Sequence, residues 1–485
     1  MLVLGCGGGG ASVGEDCATL ADCASGLQCL DHTCRPGCLA NIDCGDGRIC
    51  EDHVCRLVES AIGDACASEW ACGPAQTCRL PPTFVANVGT CQADPGAGAV
   101  VGEACMADTD CRVGACALGR CTELCTDSSE CLRGFLCTGI PRVSPDASAA
   151  LGSFRGCLPS RANLVFDIPL RAVTNQTVVV PVVDSATSMV LVATSEDATD
   201  EVGVTRVVDP ENRVVFTNDP AQYFTAPLRH RPQLGVAVLQ IPSTTAVVLE
   251  AGVYTFDVVG PGPGRGALDG HRLRIIEKLG RGATLDLHFH FADLADHPCL
   301  PDEAVLDANA AASDPAFQTE FLGGLRAIFG PANIALGSVT YEPTDAPVEL
   351  AGLPTERSGE LFATSKHPDG ISVFLVRTLS PAGLEAWVGG TPGAPLPGTG
   401  ASGIAISMAA LCHDPSWEHL ARVTAHALSR HLGLYRNREP DPETALDPLV
   451  DSPTSEDNLM YWGENGGTAL SFEQREILRQ SPVLR

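Results

Sequence analysis

The chain has 485 residues, enough for about three domains at roughly 150 residues each. Its formal net charge is −28 and its only lysines are Lys278 and Lys366, so repulsion of phosphate excludes nucleic acid as the principal partner. With 45% hydrophobic and 19% charged residues it carries enough core formers to fold, and no run of about 20 apolar residues is long enough for a membrane helix.

Twenty-three cysteines in regular clusters point to an oxidising, extracytoplasmic compartment. The chain opens Met1-Leu2-Val3-Leu4-Gly5-Cys6 and runs into Gly7 to Gly10. This resembles the end of a bacterial lipobox followed by a flexible tether over residues 1–16, without the charged and apolar stretches of a full signal. The resemblance implies a lipid on Cys6 as the membrane anchor, and a lipoprotein of the outer membrane or cell surface.

Residues 17–157 hold twenty cysteines in five units of four. The first unit is Cys17, Cys23, Cys29 and Cys34, and the second, Cys38, Cys44, Cys50 and Cys55, repeats its gaps. The third (Cys66, Cys72, Cys78, Cys91) and fifth (Cys125, Cys131, Cys137, Cys157) stretch only the last gap, and the fourth is Cys105, Cys111, Cys116 and Cys121. Glycine recurs three residues after the second cysteine, at Gly26, Gly47, Gly114 and Gly134, where each unit needs the same tight turn. Gaps of five residues speak for disulfides and against zinc, whose ligand pairs favour gaps of about two to four. Each unit allows three pairings, among which the spacing does not choose. The rhythm resembles the small cysteine-rich modules related to epidermal-growth-factor and Dickkopf repeats, and implies a spacer or protein-binding stalk.

From about residue 161 cysteine gives way to valine, threonine and proline. The runs 176–183, 213–216 and 252–259 are short, β-branched and aromatic, and are separated by Pro, Gly, Asn and Asp. They predict an all-β sandwich over 161–280, and 250–256 resembles the closing strands of β-sandwiches found beside secreted bacterial peptidases. From 284 to 485 strands alternate with helices, which predicts an α/β (α+β) body. Leu285 to Phe291 alternates with period two, so Leu and Phe share one face while His288 and His290 share the other. Two such histidines can ligate a metal; the plainer expectation is a polar strand face. Helical spacing spans 317–329, and 371–376 and 403–407 read as strands, the latter fed by a Gly/Pro loop at 392–400.

Apolar residues recur at three and four from Trp417 to Leu432, with Gly433 placed to end a helix. That helix carries Ala425-His426-Ala427-Leu428-Ser429-Arg430-His431-Leu432-Gly433-Leu434-Tyr435-Arg436. The stretch resembles the metzincin zinc metallopeptidases, nearest the pappalysin-like branch, whose helix reads H-E-x-x-H-x-x-G-x-x-H. His426 matches the first zinc histidine and Gly433 the turning glycine. Asn458 to Trp462 resembles the Met-turn, with Met460 as the methionine under the metal. The segment 392–407 resembles the stretch before the zinc helix, whose strand borders the substrate cleft. Ser471-Phe-Glu-Gln474 is a capping box opening a last helix.

The departures bear on chemistry. Ala427 stands at the general base, and Arg430 and Arg436 stand at the other two zinc ligands. Zinc hydrolysis needs a Lewis acid and a base, and a guanidinium has no lone pair to give. His431 is turned about 140° from His426 around the helix, and His419 lies about 10.5 Å along it, which leaves loop-placed His413 as the donor able to rebuild a site. The expectation is a catalytically inactive pseudopeptidase that binds an extracellular protein or peptide, without a cofactor. The alternatives are a metalloendopeptidase with zinc in a rebuilt site, and an adhesion or scaffold protein acting through its repeats. Arg430 and Arg436 are expected either to pair with Glu439 or Asp441, or to bind an anion such as a peptide carboxylate. Cys299 and Cys412, the cysteines left over, are expected to form one disulfide.

Overall fold

A computed structural model describes all residues except 1–14, 19–21, 24–26, 31, 39–40, 45–46, 52–53, 82–87, 145, 171–174, 260–270, 293–296, 301–305, 345–351, 440–444, 453 and 464–465. The expectations for Cys6, the glycine tether, Gly26 and Asp441 lie outside the described residues. The chain divides into two compact units: residues 1–142 with 151–160, and residues 143–150 with 161–485.

In the first unit every four-cysteine repeat closes the same way, first to third and second to fourth. Cys17 bonds Cys29 and Cys23 bonds Cys34; Cys38 bonds Cys50 and Cys44 bonds Cys55. The pairs Cys66–Cys78, Cys72–Cys91, Cys105–Cys116, Cys111–Cys121, Cys125–Cys137 and Cys131–Cys157 follow the rule. In the first, second and fourth repeats the third and fourth cysteines face each other across a short antiparallel hairpin, as Cys50 faces Cys55 between Arg48–Glu51 and Val54–Leu57. Directly opposed cysteines then point to one side, and each reaches a partner on the preceding loop. With so little apolar surface per repeat, the cross-links supply the stability that a core would.

The recurring glycines take left-handed backbone: φ is +69° at Gly47, +66° at Gly114 and +90° at Gly134. At Gly114 a Cβ would sit 1.9 Å from the Thr122 carbonyl oxygen. The third repeat has Ala75 at the equivalent place, held at φ +57°.

The second unit is strand-rich with few helices. One sheet runs Ala162–Pro169, Arg272–Leu279, Ala186–Thr194, Val236–Ile241, and the other runs Asn175–Val182, Gly252–Val259, Glu201–Val208, Val214–Thr217. All pairings are antiparallel. Their facing sides share one core of Val178, Val180, Leu191, Leu239, Phe256 and Leu273 among others. Along Gly252–Val259 burial alternates, with Tyr254, Phe256 and Val258 inside. Ala186–Thr194 is buried almost throughout, because Val190 and Val192 pack on the opposite side against Ala394 and Ala401. A sheet covered on both faces reads as a continuous apolar run instead of an alternating one.

A five-stranded sheet follows, ordered Ala335–Pro343, Thr284–Phe291, Ile371–Val376, Gly403–Ser407, Ala386–Val388. The first four strands are parallel and Ala386–Val388 runs antiparallel at one edge. Parallel neighbours need a crossover, supplied between the first two by a π-helical turn Phe317–Phe321 and helix Leu322–Phe329. That helix and Trp417–His431 cover one face around Leu287, Phe289, Val373 and Ile406. The other face holds Leu361, Phe362, Phe374 and Ala405.

The expectation of a polar strand face at His288 and His290 is corrected by this second layer. Both rings are buried: His288 bonds the Thr340 hydroxyl at 2.8 Å and the Asp369 carbonyl at 2.8 Å, and His290 lies 3.2 Å from the Ser372 hydroxyl. Phe374 stacks on His290 and His367 stacks on His288, so the rings are packed and hydrogen-bonded within the second layer.

The repeat geometry makes a testable contrast. Ala75→Gly is expected to stabilise the repeat unit by about 0.5–1 kcal/mol by relieving left-handed strain, while Gly114→Ala destabilises it by more. Calorimetric unfolding of the oxidised chain compares the two.

Candidate functional site

The sequence folds residues 417–431 into a helix for local reasons. Ser416 caps it by accepting a hydrogen bond from the His419 amide, and Leu420, Ala421, Ala425 and Leu428 turn one stripe into the core. It ends in a Schellman arrangement: Gly433 N–H donates to the Arg430 carbonyl at 3.0 Å and Leu434 N–H to Ser429 at 3.0 Å. Gly433 takes φ +111°, and a Cβ there would press on the buried Gln240 side chain. The reversal brings Arg436 back beside the helix.

A cavity of about 130 Å³ opens over this helix, lined by Arg422, His426, Ala427, Arg430 and Arg436, by Glu385, Ala386 and Val388, and by Tyr461 and Trp462. Arg422, His426 and Arg430 are spaced four residues apart, so successive turns deliver them to one side. Tyr461 and Trp462 come from the stretch read as a Met-turn, whereas Arg422 and Glu385 were not singled out from the sequence; the four-residue step back from His426 was the one available signal, for Arg422.

The His426 Nδ1 donates to the Leu459 carbonyl at 2.8 Å, which fixes the proton on that nitrogen and leaves Nε2 as the acceptor. Burial and the Arg430 charge push its pKa down to about 3, so the ring is neutral. Leu459 and Met460 lie in the turn below it, and Met460 is fully buried with its amide donating to the Asn458 side chain at 2.8 Å.

The arginines are unequally partnered. Arg436 lies 3.6 Å from Glu439, which is also 3.5 Å from the fully buried Arg229. Arg422 lies 3.9 Å from Glu385, whose other oxygen meets His419 Nε2 at 2.9 Å. Of the expected pairings, Glu439 takes Arg436 and also Arg229; Arg430 has no ion pair among the described residues, and Asp441 lies outside them. The Nε atoms of Arg430 and Arg436 are buried without an acceptor among the described residues. Burial and the neighbouring Arg436 push the Arg430 pKa down to about 10.

His413, the donor expected for a rebuilt metal site, lies elsewhere. His413 is exposed and is not among the cavity's lining residues, His419 is held by Glu385, and the His431 ring is buried with Nδ1 unpartnered, packed against Gly393. Among the described residues the groups of three His, Cys, Asp or Glu gathered closely enough for a metal are all cysteines, one group per repeat, and those cysteines are disulfide-bonded. One neutral imidazole beside three guanidinium groups does not fit zinc, which needs three lone-pair donors and is repelled by cations. Cys299 and Cys412 are disulfide-bonded, with Cα atoms 4.9 Å apart, and line a separate cavity beside Trp417.

One sequence expectation about the cleft strand is corrected. Gly403–Ser407 is buried in the sheet interior, and the strand at the cavity is Ala386–Val388. The Ser407 amide bonds the Glu385 carbonyl and the Gly389 amide bonds the Gly403 carbonyl. By antiparallel alternation, the backbone groups of Ala386 and Val388 then face the open edge. At three residues this strand is too short to show a period.

Neutral His426 makes stability pH-dependent. Its folded pKa lies below the unfolded value of about 6.5, so unfolding takes up a proton and stability falls as pH drops through 6.5 toward 3. Between pH 7 and pH 5, His426→Gln is expected to lose about 1–2 kcal/mol less than the unaltered chain in urea unfolding.

No protein-family model matches this chain, and neither does any curated protein sequence. Among solved structures, archaemetzincin from Methanopyrus kandleri is 13% identical with a TM-score of 0.28, over 42% of this chain and 97% of that one. A family two carbohydrate esterase from Clostridium thermocellum, an active-site mutant, is 7% identical with a TM-score of 0.12, over 43% and 60%. A second structure of a family two carbohydrate esterase from the same organism is 8% identical with a TM-score of 0.10, over 50% and 66%. At these TM-scores the likenesses carry no argument about this chain.

Proposed function

We propose that the chain is an exported, peptidase-like protein of the metzincin type that does no hydrolysis and binds extended peptides along its open sheet edge. The observation that carries the reading is the composition of the cavity floor: one neutral histidine, three arginines and an alanine where a general base would stand. Peptide hydrolysis by zinc needs a polarising cation and a base for the water proton, and this set supplies neither.

Binding needs less. Ala386 and Val388 offer backbone donors and acceptors at the cavity wall, and an incoming strand pairs with such an edge through main-chain hydrogen bonds whatever its side chains. Export rests on the ten repeat disulfides, which persist in an oxidising compartment. Among the described residues no helix is long and apolar enough to cross a membrane, a finding silent on β-barrels. A lipid on Cys6 is the anchor in this reading.

Two measurements test it. Elemental analysis of the oxidised chain after equilibration with zinc is expected to find close to zero zinc per molecule; one zinc lost on His426→Ala would restore the peptidase reading. Val388→Pro removes an outward N–H that the sheet does not use, so it is expected to keep the fold and weaken peptide binding at least tenfold. Unchanged binding would remove the edge strand from the reading.

A further inference from the structure

Among the described residues, one guanidinium on the cavity floor, that of Arg430, has no carboxylate beside it. Of the three guanidinium groups, Arg422 is beside Glu385, which is shared with His419, and Arg436 is beside Glu439, which is shared with Arg229. Arg430 stands one turn beyond His426 and has no carboxylate among the described residues, and its Nε, like that of Arg436, is buried without an acceptor. A guanidinium Nε buried without an acceptor costs free energy that a bound anion returns, most fully when two parallel N–H donors meet two oxygens.

We propose that Arg430 and Arg436 form a binding pocket for the free C-terminal carboxylate of a peptide paired with the edge strand Ala386–Val388. The inference rests on the strand-edge reading and adds which end of the peptide is held.

Three features select this ligand. The carboxylate is planar and carries one charge, matching a guanidinium fork, whereas a phosphate brings a second charge toward a molecule whose net charge is −28. The edge strand lies along the cavity wall with Ala386 and Val388 lining it, so a peptide paired with it runs beside the arginines that line the same cavity. A cavity of about 130 Å³ has room for a terminal carboxylate beside the arginines. His426 adds a neutral wall, since its acceptor Nε2 neither neutralises nor repels the arginines as a charged ring would.

The test uses the full oxidised chain and a pool of N-acetylated random hexapeptides in two forms, with free C-terminal acids or C-terminal amides. Capture is counted by mass spectrometry after equilibrium dialysis. Free acids are expected to bind at least tenfold more tightly than amides, and Arg430→Gln with Arg436→Gln is expected to bring the acids down to the amide level. Arg436→Gln alone keeps the comparison open if the double variant does not fold, with an expected loss of at least threefold for acids. Equal capture of acids and amides overturns the inference and leaves the strand-edge reading standing. Amides captured through internal Asp or Glu overturn it in favour of side-chain carboxylates. No capture of either form overturns the strand-edge reading and this inference with it.

Discussion

Three basic side chains stand at successive turns of one buried helix, and their mutual repulsion limits what the cleft accepts. Arg422, His426 and Arg430 cannot move apart, because the same helix commits Leu420, Ala421, Ala425 and Leu428 to the core and is capped at both ends. The relief observed is partial. Glu385 and Glu439 each serve two cations, and His426 stays neutral. A metal cation would add to the repulsion, whereas an anion reduces it. The proposed preference for a negatively charged guest rests on helix geometry before any particular ligand is considered.

The helix is held by two layers at once. The sandwich sheet that buries Val190, Val192 and Ile276 against Ala394 and Ala401 supports the 392–401 loop, whose Gly393 packs on the His431 ring at the back of the helix. Arg229, from the sandwich segment, donates to the Leu446 carbonyl and stacks its guanidinium over Tyr435, 4.7 Å from the ring centre. It also takes up part of the Glu439 charge that would otherwise answer Arg436 alone. The positive character of the cleft thus depends on a residue more than two hundred positions before Arg436 in the chain.

The sequence showed most of this where spacing is local. The cysteine rhythm, the helix at Trp417, the turn at Gly433 and the capping box at Ser471 all follow from contacts within a few residues. The disulfide pairing was not legible, since three connectivities satisfy the same gaps and the choice depends on hairpin geometry. His288 and His290 were misjudged because alternation reports that two faces differ, not that the second is covered; Phe374 and His367 cover it from other strands and loops. The edge strand escaped notice because three residues carry no period, and its place is set by pairing with Gly403–Ser407. Glu385 reaches the site through that pairing, which no local pattern announces.

The bond between Cys299 and Cys412 has a mechanical meaning beyond cross-linking. It closes a segment with a sequence separation of 113 residues that contains four of the five strands of the mixed sheet, including Ala386–Val388. Tension applied along the backbone travels from residue 299 to residue 412 through the sulfur atoms, so the enclosed strands carry none of it. Pulling on the chain can strip the cleft helix from the sheet while the edge strand, sealed inside the covalent loop, is never extended.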